Sequence, residues 1–307
     1  MVIMQSLVWS GRLLSRALWN GICNYSNCAD QSLSRKREPH LVSAVCGFPK
    51  DYANTRLKKG QFGDDAWFSA KYKSADAIGV ADGVGGWRHY GIDPGEFSSF
   101  LMSACERLVM SGRFVPTAPA STLLGRSYEE LRESKHPILG SSTACVIVLN
   151  RESCSVHTAN IGDSGFVIVR GGRVVHRSEE QIHYFNTPFQ LSLAPPQHSG
   201  LVLSDRPEAA DTSEFQVEDG DVILVATDGV FDNVPPSLLL VELAKVQGEK
   251  DPFRLQGTAN TIALMARSLA FDAHFLSPFA RRARENGIDA TGGKPDDITV
   301  LLATVAL

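Results

Sequence analysis

Ile78-Gly79-Val80-Ala81-Asp82-Gly83-Val84-Gly85-Gly86 combines an apolar, strand-like run with an Asp-Gly pair. The same combination recurs where the apolar run Val222–Thr227 ends in Asp228-Gly229. Two more acidic clusters, Gly63-Asp64-Asp65 and Asp296-Asp297, lie far from these in the chain. Carboxylates that follow strands would meet at the edge of a sheet, where their repulsion requires cations. Hard divalent metals are the cations that carboxylate oxygens prefer, so the sequence predicts a metal site.

Short apolar runs between the acidic clusters predict β-strands over Ala144–Leu149, Cys154–Ala159 and Phe166–Arg170. Gly171-Gly172 predicts a two-residue hairpin turn into a further strand, Arg173–His176. Successive short strands that are joined by tight turns favour antiparallel sheets.

Helical periodicity flanks the strands. A segment that opens at Pro94 repeats apolar residues at Phe97, Leu101, Cys105 and Leu108, and Thr258–Phe271 does the same. Strands with interposed helices favour an α+β arrangement in which helices cover sheets. Residues 183–212, rich in Pro, Ser and Asp, are expected to form a long surface segment, which is either a simple loop or a lid that contacts substrate.

Composition is that of a soluble globular protein, with 43% hydrophobic and 21% charged residues among 307. Residues 41–307 are predicted to form the folded part, without an internal linker. No segment reaches the roughly 18 apolar residues of a membrane span. The acidic balance of the folded part gives no reason to expect a nucleic-acid partner. The six cysteines form no Cys-x-x-Cys pair, which argues against a zinc site or a disulfide framework.

Residues 1–40 differ from the rest of the chain, because basic residues outnumber acidic ones there while the whole chain carries a net charge of −4. Leu7, Leu14 and Leu18 recur at near-helical spacing, with Arg12 and Arg16 between them. An amphipathic, arginine-containing, acid-poor start is typical of a mitochondrial transit peptide. A disordered leader is the alternative.

Five ordered motifs in this chain resemble those of the metal-dependent (PPM, type 2C) protein phosphatases. They are Asp82-Gly83 with its flanking residues, Gly140-Ser141-Ser142-Thr143-Ala144, Asn160-Ile161-Gly162-Asp163-Ser164, Ala226-Thr227-Asp228-Gly229-Val230-Phe231-Asp232 and Lys294-Pro295-Asp296-Asp297-Ile298-Thr299-Val300. A single Asp-Gly pair makes ordinary turns, whereas five motifs in order are specific. The match runs from about residue 41 to the C-terminus. Through residues such as those of 183–191, the chain is most similar to the mitochondrial branch, the Phosphatase-Two-C seven homologues.

The resemblance implies an α+β fold of two antiparallel β-sheets packed as a sandwich, with α-helices on both outer faces. It implies a serine/threonine protein phosphatase of the mitochondrial matrix that acts on phosphorylated proteins, including enzymes of ubiquinone synthesis and other metabolic enzymes. Hydroxide held by the metals would attack phosphorus directly, without a covalent phosphoenzyme. The alternative is a catalytically weak binding module that keeps the phosphatase fold and only holds mitochondrial phosphoproteins.

The resemblance also implies the site, in which two Mn²⁺ or Mg²⁺ ions would neutralise the phosphate and activate water. The implied metal ligands are Asp64, Asp82, the carbonyl of Gly83, Asp228 and Asp296, with Asp163 near a weaker third ion. Asp82 is expected to bridge the two ions, and Asp82 and Asp228 are the expected catalytic residues. Asp65 would hold a water molecule on the metal. Asp163 has the alternative role of a turn residue, whereas Asp232 and Asp297 are expected to form structural hydrogen bonds.

The chain departs from the family pattern at two positions. The arginine that many relatives carry shortly before the first acidic pair is absent, so Lys58 and Lys59 are expected either to bind the substrate phosphate or to be solvated surface lysines. Val84 stands where many relatives have a histidine that serves as general acid, so another group must protonate the alkoxide leaving group. His89 is expected to be a surface residue.

Overall fold

The computed structural model describes residues 38–51, 58–196, 200 and 202–307. The predicted leader therefore lies outside the described residues except for its last positions. The strands are β1 His40–Phe48, β2 Gln61–Phe62, β3 Asp65–Tyr72, β4 Ala75–Asp82, β5 Gly140–Ser142, β6 Ala144–Asn150, β7 Ser155–Ile161, β8 Gly165–Arg170, β9 Arg173–Arg177, β10 Ile182–Tyr184, β11 Thr187–Pro188, β12 Leu191–Leu193, β13 Asp211–Gln216, β14 Val222–Ala226 and β15 Ile298–Ala306.

The α-helices are α1 Pro94–Met110, α2 Ala120–Arg132, α3 Asp228–Phe231, α4 Pro236–Ala244, α5 Pro252–Ala270 and α6 Pro278–Glu285. Three of them begin at an N-cap side chain followed by proline, which suits a first turn that needs no N–H donor there. The helix predicted over Thr258–Phe271 is α5, which begins earlier, at Pro252. It begins there because the Asp251 carboxylate accepts a hydrogen bond from the Phe253 N–H at 2.9 Å and caps the helix.

Two antiparallel sheets form the centre of the fold. One has the strand order β1-β15-β14-β8-β9, and the other has the order β13-β7-β6-β4-β3-β2. Apolar side chains of both sheets form one buried cluster, with Ile78 and Ile147 from one sheet and Ile223 and Leu301 from the other. The sheets therefore pack face to face, and this buried layer holds the sandwich together.

Helices cover both outer faces of the sandwich. Phe97 and Leu101 of α1 and Leu123 of α2 pack in one cluster with the outer face of the six-stranded sheet. Leu239 of α4 and Ile262 of α5 pack against the outer face of the five-stranded sheet. The α+β sandwich with helices on both sides is confirmed.

The predicted Gly-Gly hairpin is present, with Arg170 paired to Arg173 and both glycines at positive φ. The first part of the segment 183–212 contains short strands, because β10 pairs with β11 and β12 pairs with β5. Its short strands escaped prediction since they are too short for periodicity to show. None of the helices in the described ranges combines the length and apolarity needed to cross a bilayer.

Cysteines within the described residues are free, and Cys46, Cys105 and Cys145 are buried. Burial raises the pKa of the Cys46 and Cys105 thiols to about 12. They are therefore free thiols of the core.

Candidate active site

Asp82 lies at the end of β4, directly opposite Asp65 on β3. Thr143 fixes it twice, because the Asp82 N–H donates to Thr143 Oγ1 at 3.1 Å and the Thr143 N–H donates to the Asp82 carbonyl at 2.9 Å. At Gly83, a Cβ would lie 2.6 Å from the carbonyl oxygen of Pro94. Glycine is required there because the chain approaches its neighbour too closely for any side chain.

Asp65 connects the two sheets at the site. Its Oδ2 accepts hydrogen bonds from Thr227 Oγ1 and Thr299 Oγ1, both at 2.8 Å, and both threonines belong to the five-stranded side of the sandwich. Asp228 follows Thr227 and opens α3. The acidic residues of both sheets therefore meet at one edge of the sandwich. We call Asp64, Asp65, Asp82, Asp163, Asp228 and Asp296 the acidic centre.

Asp297 holds the first acidic cluster in place. Its carboxylate accepts from the Lys50 N–H at 2.5 Å and from the Asp64 N–H at 2.7 Å. This is the structural hydrogen-bonding role expected of Asp297. It connects the segment before β15 to the segment before β3, so Asp64 and Asp296 are brought to the same place.

Charge crowding raises several pKa values in the acidic centre. Burial, followed by repulsion from Asp228, raises the pKa of Asp82 and of Asp163 well above the usual range. The same two causes raise the pKa of Asp296 to about 7. Nearby cations stabilise the charged form of such crowded, buried carboxylates.

Lys294 supplies one of these cations. Its Nζ donates to Asp228 Oδ2 at 2.5 Å and to Asp232 Oδ2 at 2.7 Å, and it lies 3.4 Å from Asp296 Oδ2. Burial opposes the charged form, but these carboxylates outweigh it and raise the pKa of Lys294 well above its usual range. Burial alone would raise the pKa of Asp228. The ammonium of Lys294 outweighs burial, so the pKa of Asp228 is lower than its usual value.

Arg88 supplies a second cation, which pairs with Asp64. Its Nε donates to Asp64 Oδ2 at 3.3 Å, and its Nη2 donates to Asp64 Oδ1. The side chain is 58% exposed, in contrast to 11% for Asp64. Arg88 lies in the short 3₁₀ helix Gly85–Tyr90, which follows directly on the Asp82 strand.

No pattern in the sequence predicts a role for Arg88 or Lys294. The available signals were a cation six residues after Asp82 and a lysine two residues before Asp296. Lys58 and Lys59, the predicted phosphate-binding residues, are exposed, and that role stays a prediction.

The side chain of Val84 cannot donate a proton, whereas many relatives have a histidine at this position. Val84 is half-buried, and its N–H donates to the Ser141 carbonyl at 2.9 Å. His89 is exposed, as expected, with Nδ1 3.2 Å from the carbonyl oxygen of Gly86.

The hairpin of β10 and β11 reaches the neighbourhood of the acidic centre. Phe185 at its tip packs against Phe279 of α6, with ring centroids 5.3 Å apart. The ammonium of Lys294 lies 5.2 Å from the centroid of that same Phe279 ring. The lid interpretation of this segment stays a prediction, now with a defined contact.

The donor set fits hard divalent cations, because it consists of carboxylate and carbonyl oxygens. Oδ1 of Asp65, Asp163 and Asp228 is buried without a hydrogen-bond partner in the described part of the chain. A buried, unpaired carboxylate oxygen is costly, and coordination to a cation would satisfy it. No ready-made group of three acidic, His or Cys ligands exists within the described ranges. Arg88 and Lys294 pair with the carboxylates of Asp64 and Asp228 instead.

Known proteins share both the sequence and the fold. A family model described as "Protein phosphatase 2C" matches residues 54–248. The chain belongs to the protein phosphatase 2C family. The "Protein phosphatase PTC7 homolog" of Danio rerio is 55% identical over 304 residues, which cover 99% of this chain and 99% of that protein. This places the phosphatase in the PTC7 branch, as the sequence motifs implied.

Solved structures agree. The photosystem II phosphatase PBCP has a TM-score of 0.71 and 25% identity, over 86% of this chain and 98% of its own. The phosphatase PstP, solved in complex with two manganese ions, has a TM-score of 0.51 and 14% identity, over 88% of this chain and 100% of its own, and shows the fold alone. The chain is a metal-dependent serine/threonine protein phosphatase.

Proposed function

We propose that this phosphatase hydrolyses phosphoserine and phosphothreonine on mitochondrial matrix proteins, at a centre that holds two Mn²⁺ or Mg²⁺ ions. The observation that carries the site is the meeting of carboxylates from both sheets, three of which have a buried Oδ1 with no hydrogen-bond partner among the described residues. Two manganese ions bound to PstP, which shares the fold, support the ion number.

Asp64, Asp82, the Gly83 carbonyl, Asp228 and Asp296 are the residues that would hold the two ions. The two ions would supply a water of lowered pKa and would neutralise the phosphate. Asp65 would orient that water through its unpartnered Oδ1, because its Oδ2 is already fixed by the two threonines.

Arg88 is the residue that we assign to the substrate phosphate. A guanidinium has five N–H donors in a fixed plane, and only the Nε and Nη2 groups of Arg88 face Asp64. The rest of this half-exposed group is open to an anion that arrives from solvent beside the Asp64 side of the centre. Guanidinium geometry also suits phosphate better than a lysine does. We therefore rank Arg88 above Lys58 and Lys59 for this role.

A catalytically weak binding module is the second candidate, and the departure at Val84 favours it. The retained acidic centre opposes it, since buried carboxylates are costly to keep without a metal. Hydrolysis of p-nitrophenyl phosphate by the purified protein separates the two. We expect turnover with Mn²⁺ and its loss with chelator, whereas no Mn²⁺-dependent turnover would leave the binding module.

The mitochondrial location rests on the sequence of residues 1–40. Fusion of this segment to a fluorescent passenger tests it: import is expected, and Arg12→Glu with Arg16→Glu is expected to prevent it, because import requires a basic amphipathic helix. Unchanged import of the charge-reversed fusion would contradict the proposal.

The substrates that we propose are matrix metabolic enzymes, including those of ubiquinone synthesis. Phosphoproteomics of mitochondria that lack the protein tests this, with phosphorylation expected to rise on such enzymes.

A further inference from the structure

Lys294 is held in place from its backbone to its ammonium. The side chain of Asn233 accepts from the Lys294 N–H at 2.8 Å and donates to the Lys294 carbonyl at 2.9 Å. Asn233 is itself anchored on the Gly229 carbonyl at 2.9 Å. The far end of the lysine passes the Phe279 ring, which gives a cation–π contact. The ammonium thus occupies a position that the fold has built for it.

The surroundings of this ammonium are those of a cation site. Its side chain is 18% exposed, and the side chains of Asp228 and Asp232 are 8% and 5% exposed. Asp296 completes a set of three carboxylates around Nζ. Arg282 pairs with the other oxygen of Asp232, so this side of the centre carries two protein cations.

Asp163 lines one cavity with Asp232, whose Oδ2 accepts from the Lys294 ammonium. Oδ1 of Asp163 is buried without a partner in the described part of the chain, and the nearby charges that act on its carboxylate include Asp228 and Lys294. A divalent ion between Asp163 and Asp228 would therefore lie close to the charged nitrogen of Lys294. Two cations in a partly buried space repel strongly, so the lysine and a third ion compete for these carboxylates.

We infer that Lys294 takes the place of a third metal ion. The phosphatase binds two divalent ions, and the ammonium of Lys294, in place of a third ion, neutralises the carboxylates around Asp163. This inference rests on the proposed two-ion centre and deepens it. Asp163 then contributes charge to the site without being a metal ligand in the wild-type protein.

Counting bound Mn²⁺ tests this. The full chain is titrated with Mn²⁺, and the bound ions are measured by calorimetry and by the loss of free-Mn²⁺ signal in electron paramagnetic resonance. We expect two ions for wild type and for Lys294→Arg, which keeps the charge. Lys294→Met should gain a third ion, bound at least about tenfold more tightly than any third ion of wild type. Adding Asp163→Asn to Lys294→Met should abolish that gain.

Lys245→Met is the matched control, because Lys245 forms a comparable pair with Glu242 at 2.7 Å, just after α4. It should still bind two ions. The inference would be overturned if wild type bound a third ion that the Asp163→Asn variant did not bind. It would also be overturned if the folded Lys294→Met variant bound only two ions. If Lys294→Met does not fold, the comparison of wild type with Asp163→Asn decides alone. Loss of the proposed function would show separately, as absence of Mn²⁺-dependent hydrolysis.

Discussion

Arg88 and Lys294 both pair with carboxylates of the acidic centre, yet they differ in their exposure to solvent. Arg88 lies on a short turn with more than half of its side chain in solvent, whereas Lys294 is enclosed by three carboxylates and an aromatic ring. An exposed cation is free to exchange its partner for an anion that arrives from solvent. An enclosed cation is part of the framework, because its removal leaves buried charges unpaired.

Asp82→Asn should have the largest effect, because Asp82 is expected to serve both sides of the centre. We expect Mn²⁺-dependent hydrolysis to fall by at least about 100-fold, since even groups that only support metal ligands contribute about 10- to 100-fold. The asparagine keeps the volume, so thermal unfolding should show a folded protein. Asp272→Asn, in an exposed loop, is the control. Near-normal turnover of the folded Asp82→Asn variant would remove Asp82 from the site.

Asn233→Ala sharpens the comparison on the enclosed side. It leaves the Lys294 backbone and the Gly229 carbonyl without their partners, so urea denaturation should show a loss of about 2–3 kcal/mol. Asn260→Ala, which removes one contact with Gln256 on α5, should cost less than about 1 kcal/mol. Equal losses in the two variants would mean that the enclosure of Lys294 adds no stability.

Arg88→Ala tests the exposed side. We expect KM for phosphopeptide and the inhibition constant of inorganic phosphate to rise about tenfold, since a hydrogen-bonded charge is lost at a half-exposed position. The free energy of unfolding should fall by about 1 kcal/mol, because Arg88 is half-exposed but its partner Asp64 is buried. An unchanged phosphate inhibition constant with weaker Mn²⁺ binding would instead mean that Arg88 only positions Asp64.

Lys59→Ala and His89→Ala should have the smallest effects. Both side chains are exposed, so we expect kcat and KM to stay within about twofold of wild type. A tenfold rise of KM in Lys59→Ala would return the phosphate-binding role to the lysines. A large fall of kcat in His89→Ala on phosphothreonine peptide, but not on p-nitrophenyl phosphate, would make His89 the proton donor that Val84 does not provide.

The sequence predicted the parts of the fold that depend on local pattern. The Gly171-Gly172 turn needs positive φ at two adjacent positions, which glycine adopts readily, so the hairpin was visible. The meeting of Asp82 with Asp228 was also visible, because both follow buried strands. The strands β10 to β12 were not, since each has only two or three residues and β12 pairs with the distant strand β5.

The same distinction explains what was missed in the site. Acidic residues at strand ends are informative in sequence, whereas the partner of a cation depends on where a turn or helix carries it. Arg88 reaches back to Asp64 across the strand pair β3 and β4, and Lys294 pairs with Asp228 of α3, which lies 66 residues earlier in the sequence. Spacing within a motif does not encode either contact.

The position of β15 has a consequence for how this phosphatase is made. Strand β15 pairs with β1 on one side and β14 on the other, and it carries Thr299, which holds Asp65. The five-stranded sheet and the acidic centre therefore cannot form until β15 has been synthesised, long after β1. Until then, β1 has an unpaired edge that invites aggregation, and a chain without β15 has no catalytic centre. Phosphatase activity thus begins only once β15 has joined the two strands.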